Sequence, residues 1–258
     1  MIGWRARLGF LVPPGNPTVE TEMIALAPEG VSLHFHRMVA HGTPGSLEGQ
    51  SARNRSMVEN IDTGIELLAM VKPDVIVVAH TATSYHLGRR GEVELLDRLE
   101  TATGGRVVTA FGSVVRALER LDIRKLALGT PYSAEVTLQG KTHLESYGFE
   151  VVKFDNLKGV ENIYDTTAEH AYALARSVDA EDAGAVFLSG TGIADGERLG
   201  GSRTGSRQAR HLKRVGDDMV CAPAGRCRPA DPGIWTFADA EVMRRNQDDQ
   251  GERILSEQ

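Results

Sequence analysis

The stretch "VIVVAHTATSYHLG" (residues 75–88) decides how the rest of the sequence is interpreted. Five apolar residues, 75–79, are followed at once by His80 and a cluster of small hydroxyl side chains. A continuous apolar run is typical of a strand buried on both faces of a parallel sheet. Its carboxyl end is where open α/β sheets bind ligands. We therefore predict a strand at 74–79, and we expect the polar residues that follow it to line a binding cleft.

Short apolar runs alternate with segments of helical periodicity up to residue 190. Such an alternation favours a parallel sheet with helices on both faces. The predicted strands occupy residues 7–12, 31–38, 74–79, 106–111, 125–130, 150–156 and 184–190. The predicted helices occupy residues 18–27, 56–71, 91–102, 113–121, 134–147 and 166–178. Thr18 is the expected N-cap of the first helix.

The two halves of this series match each other. "LGFLVPPGNPTVE" (8–20) and "LALGTPYSAEV" (126–136) both read as a strand, a Pro-containing loop and a helix. "DVIVVAHTATS" (74–84) and "GAVFLSGTGI" (184–193) both end an apolar strand in small residues. The predicted fold is therefore α/β with two pseudo-symmetric lobes, 1–120 and 121–193, each a parallel sheet flanked by helices. The active site is expected in the cleft between them.

Composition restricts the class of protein. The chain has 258 residues, a net charge of −6, 41% hydrophobic and 25% charged residues, as expected for a soluble globular protein. The negative charge argues against nucleic-acid binding. No apolar run is long enough to span a bilayer, and no secretory signal is evident, so a cytoplasmic location is expected. Cysteines occur only at 221 and 227, without the spacing of a zinc site.

These residues resemble the aspartate/glutamate racemase superfamily, and within it the branch of maleate cis-trans isomerases and arylmalonate decarboxylases. The resemblance covers residues 7–193 and rests on "GFLVPPGNPTVETEM", on "GTPYSAEV" and on the two strand-end loops. It implies two α/β lobes with the active site between them, a small dicarboxylate substrate and no cofactor or metal. Relatives often form dimers or higher assemblies, so the resemblance also suggests a homo-oligomer.

The resemblance places two residues where the family has its thiols. A cysteine typically ends the strand in one or both lobes, where it serves as acid, base or nucleophile. Here those positions hold His80 and Gly190. A neutral imidazole titrates near pH 6.5, so His80 is the candidate catalytic base. The alternative is that His80 is a spacer or a hydrogen-bonding wall residue.

The resemblance also implies a set of substrate-binding positions. Donors are needed there because a dicarboxylate reaction of this type builds up enolate charge. The candidate binding residues are Asn16, Thr81, Ser84, Tyr132, Asn162, Gly190 and Thr191. Asn16 could instead be a turn residue, Thr81 and Ser84 helix caps, and Tyr132 a packing aromatic.

Two functions from different classes follow. The first is an isomerase or racemase, similar to maleate isomerase, that acts on a small dicarboxylic acid by proton transfer or double-bond isomerisation. The second is a catalytically impaired relative that binds a dicarboxylate without either cysteine. A cysteine-independent decarboxylase is a further alternative.

Residues 194–258 do not continue the pattern. They are rich in Gly, Arg, Asp and Ser and show no apolar period, so an irregular tail is expected. A shifted reading frame would explain this: read one nucleotide later, the codons of Met219 and Val220 must encode tryptophan, which relatives carry in a helix there. We therefore hypothesise that this segment is a frameshift product, which would leave the second lobe incomplete.

Overall fold

The computed structural model describes residues 3–190, 211–215 and 218–222. Nine strands in these ranges form two sheets. The strands are β1 (Ala6–Val12), β2 (Val31–Arg37), β3 (Val75–Val78), β4 (Arg106–Thr109), β5 (Lys125–Thr130), β6 (Glu150–Asn156), β7 (Ala185–Leu188), β8 (His211–Val215) and β9 (Asp218–Ala222). The predicted strands all form, most of them within two residues of the predicted limits.

The first sheet has the order β2-β1-β3-β4, and all its strands are parallel. The central strand β3 consists of Val75, Ile76, Val77 and Val78, three of them buried. Because parallel strands share a direction, the loops after β1 and β3 leave the same edge of the sheet. Asn16 and His80 therefore lie at one rim, as the sequence predicts.

The second sheet has the order β6-β5-β7-β9-β8. Strands β5, β6 and β7 are parallel, whereas β9 runs antiparallel to β7 and β8 antiparallel to β9. This result differs from the expectation of an irregular tail, because two five-residue segments of that tail pair with the sheet. Pairing with β9 satisfies the backbone groups along the outer side of β7. The remainder of 194–258 lies outside the described residues.

Within the described part of the chain, seven α-helices accompany these strands. They are α1 (Val19–Leu26), α2 (Gln50–Glu59), α3 (Ile61–Ala69), α4 (Thr81–Thr103), α5 (Ala110–Arg120), α6 (Ala134–Ser146) and α7 (Ala168–Val178). The predicted helix 56–71 is two helices that meet at Asn60. The predicted helix 91–102 is the second half of α4, which starts directly after His80 and is kinked at Gly88 (φ 66°, ψ 173°).

The two sheets share a buried apolar core. Tyr85 and Phe111 from the first lobe pack with Leu128, Tyr132 and their neighbours from the second. Separate cores lie on the other faces of each sheet. The shared core therefore fixes the position of one lobe relative to the other. None of the helices in the described ranges has the length and apolar character needed to span a membrane.

Candidate active site between the two lobes

His80 occupies the N-cap position of α4, in extended conformation (φ −145°, ψ 97°). Its side chain is buried at 6% exposure, and its Nδ1 lies 3.0 Å from Thr83 Oγ1. Burial lowers the pKa of His80 to about 4, since the charged ring would lose its hydration. The helix N-terminus also disfavours a cation. His80 is therefore a neutral imidazole at neutral pH.

The rim that carries His80 meets the rim that carries Gly190. Tyr85, one turn further along α4, donates its hydroxyl hydrogen bond to Ser189 Oγ over 2.7 Å. Ser189 directly precedes Gly190 and is fully buried. The segments that carry His80 and Gly190 thus meet at one inter-lobe junction.

Gly190 has a backbone conformation that favours glycine. Its φ is 135°, a region that residues with a side chain rarely adopt. A cysteine at this position would need a different local backbone.

The predicted binding residue Asn16 is buried and has a structural contact. Its Oδ1 accepts hydrogen bonds from the backbone N–H groups of Thr18 (3.0 Å) and Val19 (2.9 Å). Thr18, the predicted N-cap, makes no side-chain cap bond, so Asn16 performs that role for α1. This arrangement fits the turn interpretation, and a direct contact with substrate remains a prediction.

The other candidates fall into two groups. Thr81, Ser84 and Tyr132 are buried, and the ring of Tyr132 lies edge-on to Tyr85 across the inter-lobe junction at 6.4 Å between centroids. Asn162 lies outside this group: its Nδ2 donates to Pro44 O (2.9 Å) and its Oδ1 accepts from the backbone N–H of Tyr164 (2.9 Å). One end of its amide thus contacts the first lobe, and the other caps the short 3₁₀ turn that follows it at Ile163–Asp165. Thr191 lies outside the described residues.

A buried carboxylate that the sequence did not reveal organises the junction. Glu92 Oε1 accepts hydrogen bonds from Ser84 Oγ (2.6 Å) and Thr109 Oγ1 (2.5 Å). Its Oε2 accepts from Tyr147 OH (2.9 Å) and lies 3.1 Å from His143 Nε2. Two of these partners belong to the first lobe, and Tyr147 and His143 to the second. The hydroxyl hydrogen of Ser84 is thereby directed at Glu92.

The charge of Glu92 is stabilised by these donors. Burial acts to raise the pKa of Glu92, but the hydrogen bonds from His143, Ser84 and Thr109 outweigh it and lower the pKa below its ordinary value. No group of three His, Cys, Asp or Glu side chains within the described ranges could hold a metal ion. The polar groups of the junction therefore bind one another in a network centred on a carboxylate.

Comparison with known proteins agrees with this architecture. The family model described as arylmalonate decarboxylase matches residues 8–200. A maleate isomerase from Nocardia farcinica is 32% identical over 197 residues, covering 71% of this chain and 75% of the relative. One from Pseudomonas putida is 27% identical over 203 residues, covering 71% and 76%.

Solved structures show the same fold. A mutant of the Nocardia farcinica maleate cis-trans isomerase, solved with a covalently bound succinylcysteine intermediate, superimposes with a TM-score of 0.60 at 26% identity, covering 70% of this chain and 76% of the other. A mutant of arylmalonate decarboxylase with a bound sulfate ion gives 0.61 at 21% identity, covering 73% and 79%. The latter similarity supports the fold alone.

We expect Glu92→Gln to lower the free energy of unfolding at pH 7 by about 1–3 kcal/mol. Glutamine replaces one of the two carboxylate oxygens, which accept hydrogen bonds from the four buried partners, with an N–H₂ group that can only donate. Urea denaturation followed by circular dichroism measures this. The lowered pKa means that the carboxylate stabilises the fold above the pKa of the unfolded chain, and that this stabilisation is lost as the pH falls through the folded value. The difference in unfolding free energy between the wild type and Glu92→Gln should therefore shrink below about pH 4.

Glu94→Gln is the matched control. Glu94 is exposed on the same helix, where it pairs with Arg90. Exposed pairs of this spacing contribute about 0.3–0.5 kcal/mol. An equal cost for the two variants would contradict the role assigned to Glu92.

Proposed function

Because the chain belongs to the arylmalonate decarboxylase family, we propose that it is a cofactor-independent, maleate isomerase-like enzyme acting on a small dicarboxylic acid held between the two lobes. One observation carries the proposal. The turn of α4 that begins at His80 contacts Ser189 at the end of β7, so both strand-end rims border one site.

The directions of the helices suit a doubly negative substrate. Helices α1 and α4 begin at the rim of the first sheet, and α6 begins at the rim of the second, directly after β5. Each helix N-terminus carries a partial positive charge and favours a carboxylate nearby. With α4 on one side of the cleft and α6 on the other, each of the two carboxylates of a diacid has a helix N-terminus to face.

His80 is the proposed catalytic base. Its Nδ1 contacts Thr83 Oγ1, which leaves Nε2 as the ring nitrogen for the substrate. In a diacid with a saturated carbon next to a carboxylate, such as aspartate, Nε2 takes the proton from that carbon, and the electron pair of the C–H bond moves onto the carboxylate as an enolate. The planar intermediate then turns, and the imidazolium returns the proton to its opposite face, which inverts that carbon. Donors at the rims stabilise the enolate charge during this step.

The alternative function is binding of a dicarboxylate without turnover. Both family thiol positions are replaced, and the backbone of Gly190 favours glycine. A succinylcysteine intermediate, as in the Nocardia farcinica structure, has no counterpart at these two positions.

His80→Ala separates the two functions. If His80 is the base, the variant should lose about 10²–10⁴-fold in kcat on the substrate that the wild type turns over, while its affinity for that acid changes little. The assay uses a panel of maleate, aspartate and substituted malonates, with calorimetry for binding. His86→Ala, a half-buried histidine on the same helix, should keep wild-type turnover. Binding without turnover by the wild type would support the alternative, and neither binding nor turnover would contradict both.

The pH dependence of turnover tests the state of His80. Burial lowers its pKa to about 4, so the base is unprotonated throughout the neutral range. We expect kcat, measured at saturating substrate so that ionisation of the free diacid does not contribute, to stay constant from pH 8 to about pH 5 and to fall as the pH approaches 4, not near 6.5. Circular dichroism at each pH checks that the fold persists. An acidic limb near pH 6.5 would contradict a buried neutral imidazole.

We also propose that residues 194–258 are read in a shifted frame. The end of the family match at residue 200 supports this proposal. Sequencing of the coding DNA tests it: we expect the shifted frame to encode a family-like segment around the tryptophan codon within Met219–Val220. A gene whose shifted codons do not encode such a segment would contradict the proposal.

If the frame is shifted, correcting it in the gene gives a protein whose C-terminal segment resembles that of the family. That protein should unfold at a higher denaturant concentration than the present chain, since it regains the closing elements of its second lobe. The same substrate panel on both proteins compares their activities directly.

A further inference from the structure

Tyr85 connects two segments that are 104 residues apart in sequence. Its ring is buried at 4% exposure in α4, and its hydroxyl donates to Ser189 Oγ, which is itself fully buried. The backbone N–H of Ser189 donates to Gly129 O (2.9 Å) at the end of β5. Ser189 is therefore held by its main chain to the second lobe and by its side chain to the first.

The ring reaches Ser189 by passing close to α6 at Gly140. A Cβ atom at Gly140 would lie 2.8 Å from Cε2 and 3.0 Å from Cζ of Tyr85, closer than real Cβ contacts. Glycine inside a helix costs about 1 kcal/mol relative to alanine. The passage of the Tyr85 ring gives a physical reason for glycine at this position of α6.

The neighbours of the ring keep it in one orientation. Phe111 and Tyr132 pack edge-on against it, with centroid distances of 5.6 and 6.4 Å. His143 packs edge-on at 5.9 Å. A ring surrounded in this way acts as a rigid spacer, so the position of its hydroxyl follows the position of α4.

We propose that Tyr85 is a positioning residue that fixes the Ser189–Gly190 segment relative to the His80 turn of α4. The Tyr85 ring sets the distance between the strand end that carries His80 and the strand end that carries Gly190, and thus the width of the site for the dicarboxylate. The effect on ligand binding rests on the proposed function, whereas the effect on the Ser189–Gly190 segment does not. Tyr85 acts through this segment and needs no contact with substrate.

Tyr85→Phe tests the proposal, with Tyr147→Phe as the matched control. Both variants lose one hydroxyl from a tyrosine of the shared core that bridges the lobes, but the Tyr147 hydroxyl bonds Glu92 instead of a strand end. Amide hydrogen exchange at Ser189 and Gly190, followed by NMR in the ligand-free protein, is the first measurement. We expect exchange to be about tenfold faster in Tyr85→Phe and within about twofold of wild type in Tyr147→Phe.

Affinity for maleate, measured by calorimetry, is the second readout. We expect Tyr85→Phe to weaken binding about tenfold and Tyr147→Phe to leave it within about twofold. Ser189→Ala should reproduce both effects of Tyr85→Phe, and the double variant should add little, because one interaction is lost in all three.

Unchanged exchange in both Tyr85→Phe and Ser189→Ala, or equal acceleration in Tyr147→Phe, would overturn the proposal. Faster exchange with unchanged maleate affinity would overturn the part that concerns the width of the site. If the wild type binds no dicarboxylate, the proposed function fails, and the exchange measurement still decides the role of Tyr85.

Discussion

The packing of α4 against α6 is the contact on which the candidate site depends. Each sheet by itself gathers the carboxyl ends of its parallel strands at one edge, but a cleft exists only if two such edges face each other. The apolar side chains between these helices, with Tyr85 and Phe111 at their centre, form one core for both lobes. A shift of α6 along α4 would move the end of β7 away from His80. The separation of the rims is therefore set by packing in the core, at a distance from the reacting groups.

Apolar packing alone leaves the register of two helices weakly determined, since a core tolerates many similar arrangements. The polar groups buried beside it add the missing specificity. Glu92 needs donors from both lobes, and a displaced α6 would leave a buried carboxylate without His143 and Tyr147. Unpaired buried charge is costly, so few alternative registers are accessible. The same network also takes up the hydroxyl hydrogen of Ser84, at the start of α4.

The elements that the sequence predicts well are those whose signal is local. An apolar run such as residues 75–79 identifies a buried parallel strand, and the rule that strand ends share an edge then places His80 at the rim. The start of α4 was missed because its first turn is made of hydroxyl residues and Gly88 interrupts the periodicity. Glu92 and Ser189 were missed because a partner 51 or 104 residues away leaves no local pattern. Gly140, inside α6, is a local signal of the close approach of the Tyr85 ring.

The two replaced thiol positions affect the site in different ways. At position 80 a buried imidazole, neutral because of its surroundings, keeps a group able to accept a proton. At position 190 the backbone itself favours glycine, so the second lobe offers main chain at this strand end. If His80 is the base that we propose, it removes and returns protons on one face of the substrate only. Return of the proton to the same face regenerates the substrate, so a net isomerisation requires the planar intermediate to turn within the cleft before it is protonated. The separation of the two strand-end rims then decides whether the intermediate has room to turn, and this makes the packing of the core a determinant of turnover.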